Sequence, residues 1–181
     1  MGIEHLGVDP VSVQGAKLKS VIEELWERDV CDFIQCVRCS FVYANPFKAG
    51  TEQFYSLAYQ TDSSYNDWKW EYQVTYKDLE SLIEKDNNQN INLLEIGAGN
   101  GAFIKRISPV LIPKEKIICT EFSDYGRNEI IKYGIRCVPV DLKNLGIDQL
   151  SEKFDIICIF QVLEHMDGVT EIFESLNRLS N

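Results

Sequence analysis

Three alternating glycines lie near the centre of the sequence, directly after a short apolar segment. Gly97, Gly99 and Gly101 stand in the run LEIGAGNGAF, which continues into a segment of helical character. Glycine lets the backbone turn sharply and approach a ligand closely, because no Cβ intervenes. The unpaired N–H groups at a helix start favour an anionic or carboxylate-bearing ligand. The spacing therefore predicts a ligand-binding loop, which also contains Ala98.

Glu95 distinguishes between two ligands that compete for such a loop. Gly97, Gly99 and Ala102 also satisfy the fingerprint of dinucleotide-binding loops, whose last position accepts alanine. A dinucleotide site usually has an apolar residue two positions before its first glycine. A carboxylate there repels a pyrophosphate but anchors the amine of a cationic ligand. A nicotinamide-dependent oxidoreductase is therefore the disfavoured alternative.

His165 is one of only two histidines, and it follows the last predicted strand. In parallel sheets with helices on both faces, ligands bind at the carboxyl ends of the strands. Imidazole titrates near neutral pH, so His165 suits a general base that deprotonates a hydroxyl or amine acceptor. In the structural alternative, Glu164 and His165 cap and pack the next helix.

The second half of the chain alternates short apolar strands with amphipathic helices. Strands are predicted over 92–96, 116–120, 136–140 and 154–160, and helices over 102–108, 123–133 and 169–179. The last helix is expected to turn Ile172, Phe173, Leu176 and Leu179 inward. This rhythm predicts an α/β fold with a parallel sheet and helices on both faces.

The first half of the chain is rich in aromatic residues and mixes helices with strands. Helices are predicted over 11–28 and 70–85, and two short strands around a tight turn over 31–43. Val74, Leu79, Leu82 and Ile83 are expected to form the apolar side of the second helix. Because a polar tract follows at 86–90, we predict a small α+β region over 1–86 and the sheet domain over 91–181.

Residues 92–179 resemble the first half of the class I S-adenosylmethionine-dependent methyltransferases, of the type that modifies small molecules and sugars. The run from Glu95 to Gly101 fits that family's first motif, an acidic residue followed by GxGxG. The run QVLEHM after the fourth strand resembles the family's LEH signature. The resemblance implies a Rossmann-like sheet, S-adenosylmethionine as cofactor and methyl transfer to a small-molecule acceptor.

The resemblance also implies a role for the residue at each strand end. Glu121 would hold both ribose hydroxyls, Asp141 would accept from the exocyclic amine of adenine, and Leu142 would offer a backbone N–H to it. Gln161 would face the methionine portion. The implied cofactor-binding residues are Glu95, Gly97, Ala98, Gly99, Gly101, Glu121, Phe122, Asp141, Leu142 and Gln161. Each is also an ordinary turn or cap residue, but their order at four strand ends favours the cofactor site.

A dense group of aromatic residues precedes the sheet. In members of the family this segment folds over the cofactor as a lid and lines the acceptor pocket. For most of the group we expect ordinary core packing, and we expect Tyr55 and Tyr59 to bind the acceptor. The group comprises Phe54, Tyr55, Tyr59, Tyr65, Trp68, Trp70 and Tyr72.

Cys36 and Cys39 form a CxxC pair at the predicted turn, with Cys31 five residues earlier. A CxxC pair supplies two of the four ligands of a structural zinc ion. The run 36–46 resembles the second of two such knuckles in some sugar-modifying methyltransferases, and the first is missing here. Because spacing does not support a site that adds Cys31 and His5, no metal site is predicted. The hairpin is interpreted as a degenerate remnant.

Composition narrows the expected partners. Acidic residues number 28 against 18 basic ones, a net charge of −10, which disfavours binding to nucleic acids and anionic membranes. No apolar run approaches the ~20 residues of a membrane span. The N-terminus lacks a basic segment followed by an apolar core, so the expected location is the cytoplasm.

The family sheet has seven strands, and this sequence supplies four of them. The fourth would be an apolar edge that favours association. We therefore expect a fragment of a longer enzyme, and the alternatives are a naturally short chain or a partner chain that completes the sheet, including a homo-oligomer that covers this edge. The leading hypothesis is a methyltransferase that acts on a small molecule. The alternative is a cofactor-binding module without catalysis, completed by a partner chain.

Overall fold

A computed structural model of the chain describes residues 8–27, 32–45, 47–59, 68–86, 90–140 and 150–181. The predictions for Asp141 and Leu142 lie outside the described residues, as do those for Cys31, His5 and Tyr65. Among the described helices, none combines the length and the apolar character that crossing a membrane requires.

Two helices and a hairpin precede a longer helix in the first half of the chain. These elements are α1 (Val13–Trp26), β1 (Asp32–Gln35), β2 (Val42–Asn45), α2 (Glu52–Ala58) and α3 (Trp70–Asp86). The predicted hairpin is confirmed, because β1 and β2 pair in antiparallel register, with Phe33 opposite Ala44. Helix α2 was not predicted; Thr51 caps it by accepting a hydrogen bond from the N–H of Phe54.

The second half forms the predicted parallel sheet. Its elements are β3 (Leu93–Ile96), α4 (Ala102–Ile107), β4 (Ile117–Thr120), α5 (Asp124–Tyr133), β5 (Arg136–Val138), β6 (Ile156–Ile159) and α6 (Val169–Leu179). The strand order is β5-β4-β3-β6, and all neighbours are parallel. The chain runs outward from β3 to β5 and then crosses back to β6. The carboxyl end of β3 is therefore the point where the strand order reverses, which is where ligands bind in such sheets.

Apolar side chains cover both faces of this sheet, which confirms the prediction of helices on both sides. Leu93 belongs to a cluster with Phe103 and Ile130, whereas the next residue, Leu94, belongs to one with Phe154 and Ile172. Alternation along β3 thus assigns successive residues to opposite faces.

Two predicted helix faces were partly wrong. In α3, Val74 and Leu82 are 48% and 49% exposed, and the buried side runs instead through Tyr72 and Leu79. In α6, Phe173 is 55% exposed. In each helix the buried residues form one stripe along the face that packs against the rest of the protein. The exposed apolar residues lie one position away from a residue of that stripe, so they point outward.

Strand β6 lies at one edge of the sheet, as predicted for the fourth strand, and its neighbour there is β3. Its other side bears a short parallel bridge between Phe154 and Ser180, formed as the N–H of Phe154 donates to the carbonyl of Leu179 at 2.8 Å. The N–H of Asn181 donates to the carbonyl of Phe154 at 3.1 Å. The predicted association through this edge stays a prediction.

Candidate functional site

The glycine loop follows β3 at the centre of the carboxyl edge. Gly97, Gly99 and Gly101 adopt φ angles of +65°, +58° and +80°, in the left-handed region that favours glycine. A Cβ at Gly97 would lie 2.5 Å from a methyl carbon of Val162. The N–H of Ala98 donates to the carbonyl of Thr120 at 2.9 Å, which ties the loop to the end of β4. The predicted loop is therefore a defined structure that only glycine permits.

Glu121 holds this loop from the end of β4. One of its carboxylate oxygens accepts a hydrogen bond from the N–H of Gly99, and the other from the N–H of Ser123, both at 2.8 Å. Helix α5 packs against the same loop so tightly that a Cβ at Gly126 would lie 2.3 Å from the carbonyl oxygen of Gly99. The position of the carboxylate is thus fixed by backbone contacts on both sides.

Arg127 supports the segment after Glu121. Its guanidinium donates to the carbonyl of Glu121 at 3.0 Å and also to that of Phe122, and its side chain is largely buried. The Ser56 hydroxyl donates to the Phe122 carbonyl at 3.1 Å. Three hydrogen bonds from two side chains therefore converge on this strand end, and sequence reasoning identified neither Arg127 nor Ser56.

Glu95 lies beneath the loop, on β3, and is only 1% exposed. Within the described residues its Oε2 atom has no hydrogen-bond partner. Burial, followed by the charge of Glu121, raises the pKa of this carboxyl to about 8, although the charge of Lys69 acts in the opposite direction. A buried carboxyl with an unpartnered oxygen is costly, so it indicates a site prepared for a polar ligand.

Gln161 and Lys69 meet across the cleft next to these carboxylates. Gln161, two residues after the end of β6, has a φ of +53°. Its side-chain oxygen accepts from the Lys69 ammonium at 2.8 Å, and its amide nitrogen donates to Glu71 at 2.8 Å. Sequence reasoning missed Lys69 and Glu71. Each lies about 90 positions before Gln161 in the sequence, and no local pattern connects residues that far apart.

Tyr55 and Tyr59 line the cleft from α2 and its end. The Tyr55 ring stacks on Phe122 with centroids 6.0 Å apart, and the rings of Tyr55 and Tyr59 lie 6.1 Å apart. Burial, followed by the charges of Tyr59, Glu121 and Glu164, raises the pKa of Tyr55 to about 12. Burial and Glu121 also raise the pKa of Tyr59. Both phenols are therefore neutral near pH 7 and act as hydrogen-bonding groups.

His165 lies at the rim of the cleft, in a 3-10 turn over Leu163–His165. The backbone N–H of His165 donates to the carbonyl of Val162 at 2.9 Å, while its imidazole is exposed. Of the described residues, none orients the imidazole by a hydrogen bond. The geometry brings His165 to the cleft, and its predicted role as a base stays a prediction.

A strap over 47–51 closes one side of the cleft. The N–H of Ala49 donates to Asp167 at 2.9 Å, across the cleft from α1. The Trp26 indole N–H donates to the carbonyl of Lys48 at 3.1 Å, and the Lys48 ammonium donates to the carbonyl of Leu25 at 3.2 Å. The strap is thus hydrogen-bonded to the end of α1 on one side and to Asp167, which precedes α6, on the other.

These elements enclose a cleft of about 1010 Å³. Most of the predicted site residues line it, Glu95 lies beneath it, and Gly101 caps α4 behind the loop. The predicted residues on its wall are Tyr55, Tyr59, Gly97, Ala98, Gly99, Glu121, Phe122, Gln161 and His165.

Comparison with known proteins identifies this domain. Residues 94–181 match the sequence profile of a family described as a methyltransferase domain. A search of curated proteins gave no match.

Similar solved structures are methyltransferases. The plantazolicin methyltransferase BamL, in complex with a substrate analogue and SAH, is 21% identical, with coverage of 61% of this chain and 41% of that chain and a TM-score of 0.51. Magnesium protoporphyrin IX methyltransferase from Synechocystis PCC 6803, with bound SAM, is 16% identical over 61% and 55% of the chains, with a TM-score of 0.48. CalS10, an amino pentose methyltransferase from Micromonospora echinaspora, is 16% identical, and the match covers 61% of this chain and 47% of that chain with a TM-score of 0.49.

The match spans about half the length of these structures. The family profile matches the region that contains the glycine loop, and the parallel sheet with flanking helices has the predicted Rossmann-like architecture. Residues 94–181, just under half of the chain, therefore match a methyltransferase domain family and carry the fold that the solved methyltransferases share.

Proposed function

We propose that this chain binds S-adenosylmethionine in the cleft and takes part in methyl transfer to a small-molecule acceptor. The observation that carries the proposal is that two carboxyl groups, those of Glu95 and Glu121, lie next to the same glycine loop. Glu121 presents a fixed carboxylate at the cleft wall, and Glu95 keeps an unpartnered oxygen beneath it.

The donor set of this chain fits the two polar ends of the cofactor. A carboxylate has about four lone-pair sites, and Glu121 uses one on each oxygen for a backbone N–H, so acceptor capacity remains for two ribose hydroxyls. The free oxygen of Glu95 suits the ammonium of the methionine portion, and Lys69 lies close enough to act on the pKa of Glu95. A pyrophosphate would meet repulsion from the Glu121 carboxylate and would oppose the ionisation of Glu95, which disfavours a nicotinamide cofactor.

The acceptor side of the cleft is aromatic. Tyr55 and Tyr59 offer apolar ring faces with neutral hydroxyls, a combination that suits a ring-shaped polar molecule. The similar solved methyltransferases act on a porphyrin and on an amino pentose according to their descriptions, which supports a small-molecule acceptor. Amino sugars are therefore the first acceptors to test.

Bound S-adenosylmethionine supplies an electrophilic methyl group on a sulfonium centre. Because this leaving group is already good, the protein mainly has to align the acceptor and exclude water. The hydrogen bond between Ala49 and Asp167 joins two segments that line the cleft, where it would help to exclude water. We propose that His165, which is exposed at the rim, takes the proton of a hydroxyl or amine acceptor.

Isothermal titration with S-adenosylhomocysteine tests the cofactor site. We expect wild-type protein and a Glu84→Ala variant, which changes an exposed carboxylate on α3, to bind alike. A Glu121→Ala variant should lose at least tenfold in affinity, and NADH should give no heat. Binding that survives Glu121→Ala unchanged contradicts the proposed site.

Turnover separates the enzyme from a binding module without catalysis. A methyl-transfer assay on amino sugars should release S-adenosylhomocysteine with the wild-type chain and not with Glu121→Ala. Normal cofactor binding without turnover on any acceptor would favour the module completed by a partner chain.

A further inference from the structure

A hydrogen-bonded bridge of three side chains lies next to Glu95, and Gln161 is its middle member. The Gln161 Oε1 atom accepts from the Lys69 ammonium, and its Nε2 atom donates to Glu71, both at 2.8 Å. An ammonium only donates and a carboxylate only accepts, so a single orientation of the Gln161 amide satisfies both neighbours. Both ends of this amide are therefore engaged within the protein, and Lys69 is the member of the bridge that brings a positive charge to the cleft.

The position of Lys69 is fixed at both its backbone and its head group. Its carbonyl accepts from the N–H of Gln73 at 3.3 Å, which holds its backbone directly before α3. Its ammonium lies 5.5 Å from the centre of the Tyr72 ring, within cation–π range, and Tyr72 is only 7% exposed. The ammonium has three protons, and the hydrogen bond to Gln161 uses one of them. The head group is thus held in place and keeps donor capacity for a ligand.

Lys69 and Glu95 are found at the same end of the cleft. Lys69 lines the cleft together with Gly97 and Gly99, and Glu95 lies beneath this loop with an Oε2 atom that has no partner among the described residues. The two side chains are close enough for the charge of Lys69 to oppose the rise in the pKa of Glu95. A fixed ammonium and a carboxyl beside one loop match the two charged groups of an α-amino acid.

We propose that Lys69 binds the carboxylate of the cofactor's methionine portion, and that Gln161, held by Glu71, is a positioning residue that aims the Lys69 ammonium. The inference rests on the proposed function, in which Glu95 binds the amine of the same portion. It changes the expected role of Gln161, which acts on the ligand through Lys69. The φ of +53° at Gln161 fits this role, because a non-glycine residue keeps such a conformation where its surroundings determine it.

Isothermal titration with two ligands that differ by one carboxylate tests the role of Lys69. S-adenosylhomocysteine has both charged groups, and its decarboxylated analogue keeps only the amine. The wild type should bind the complete ligand about 10- to 100-fold more tightly, as expected for a hydrogen bond between charged groups. Lys69→Met should bring this ratio close to one, and Lys69→Arg should restore most of it. Both ligands have the amine that Glu95 binds, so any altered ionisation of Glu95 cancels in the ratio.

A double-mutant cycle tests the positioning role of Gln161. Gln161→Leu alone should weaken the binding of S-adenosylhomocysteine by about three- to tenfold. In the Lys69→Met background it should have no further effect, because Gln161 acts through Lys69. Lys77→Met, which changes an exposed lysine on α3, is the matched control and should bind like the wild type.

A third ligand, 5′-methylthioadenosine, separates a lost contact from a lost fold. It has neither charged group but keeps the ribose and adenine, so each variant should bind it like the wild type. Equal binding of the complete and decarboxylated ligands by the wild type, or an unchanged ratio in Lys69→Met, would overturn the role of Lys69. An effect of Gln161→Leu that persists in the Lys69→Met background would overturn the positioning role. A wild type that binds none of the three ligands would overturn the proposed function, and this inference with it.

Discussion

The protonation state of Glu95 should control cofactor affinity. Its carboxyl is 1% exposed, one of its oxygens lacks a partner in the described structure, and burial is the main cause that raises its pKa to about 8. At pH 7 the protonated form of Glu95 in the free protein therefore outnumbers the ionised form by about ten to one. A ligand ammonium favours the ionised form, so binding must release the proton.

The magnitude follows from that pKa. Below pH 8, affinity for S-adenosylhomocysteine should rise by up to about tenfold for each pH unit, and above pH 8 it should level off. A Glu95→Gln variant has no proton to release, so its affinity should be lower at high pH and nearly flat with pH.

Titration calorimetry from pH 6 to pH 9 measures both effects. Repeating each titration in two buffers of different ionisation enthalpy counts the protons released, and we expect nearly one per site at pH 7 with wild type and none with Glu95→Gln. The Glu84→Ala protein should follow the wild type. A wild-type affinity that does not change with pH, or a slope that Glu95→Gln shares, would refute the reasoning.

The same carboxyl affects folding stability in the opposite sense. Its folded pKa of about 8 lies above the ordinary value of 4.5, so the stability it contributes is complete below pH 4.5 and is lost as pH rises through 8. Between these limits the free energy of unfolding should fall by at most about 1.4 kcal/mol per pH unit from this group. Urea unfolding of wild type and Glu95→Gln across this range measures the difference.

Substitutions at three further positions test the packing of the site. Gly126→Ala places a methyl group 2.3 Å from the Gly99 carbonyl, so we expect a loss of about 1–3 kcal/mol in urea unfolding and weaker cofactor binding. Arg127→Met leaves two carbonyls without their charged donor, and it should cost about 1–3 kcal/mol by the same measurement. Tyr55→Ala removes the ring stacked on Phe122 and should raise the KM for the acceptor, whereas Tyr55→Phe should keep the stacking and cofactor affinity.

The sheet could be predicted from sequence because its signals are local. The strands are short apolar runs, and a glycine or a helix cap follows several of them, so LLEI and IICI were assigned without knowledge of their neighbours. Which face of each helix is buried was harder to predict from the sequence. Phe173 and Leu176 are both apolar, and only packing against the sheet decides that α6 buries Ser175 and exposes Phe173.

The site was predictable where its residues follow strand ends, and not where distant segments meet. Gly97 and Glu121 stand next to strands, and their positions in the cleft follow from topology alone. The bond between Lys69 and Gln161 joins positions 92 apart, and that between Ser56 and Phe122 joins positions 66 apart. Such contacts arise from how the first half lies over the sheet, and no periodicity in the sequence encodes that arrangement.

The two carboxyl groups of the site are stabilised in different ways, and this difference suits the proposed ligand. Glu121 accepts two backbone N–H bonds, from Gly99 and Ser123, so the loop itself supports its charge. Glu95 is stabilised in its neutral form instead, mainly because it is buried and also because the charge of Glu121 lies nearby. Two anions side by side would repel each other in the free protein, and protonation of Glu95 removes that repulsion. An arriving ammonium then replaces the proton as the balancing charge, while Glu121 receives neutral hydroxyls, so one ligand with both groups satisfies the whole site.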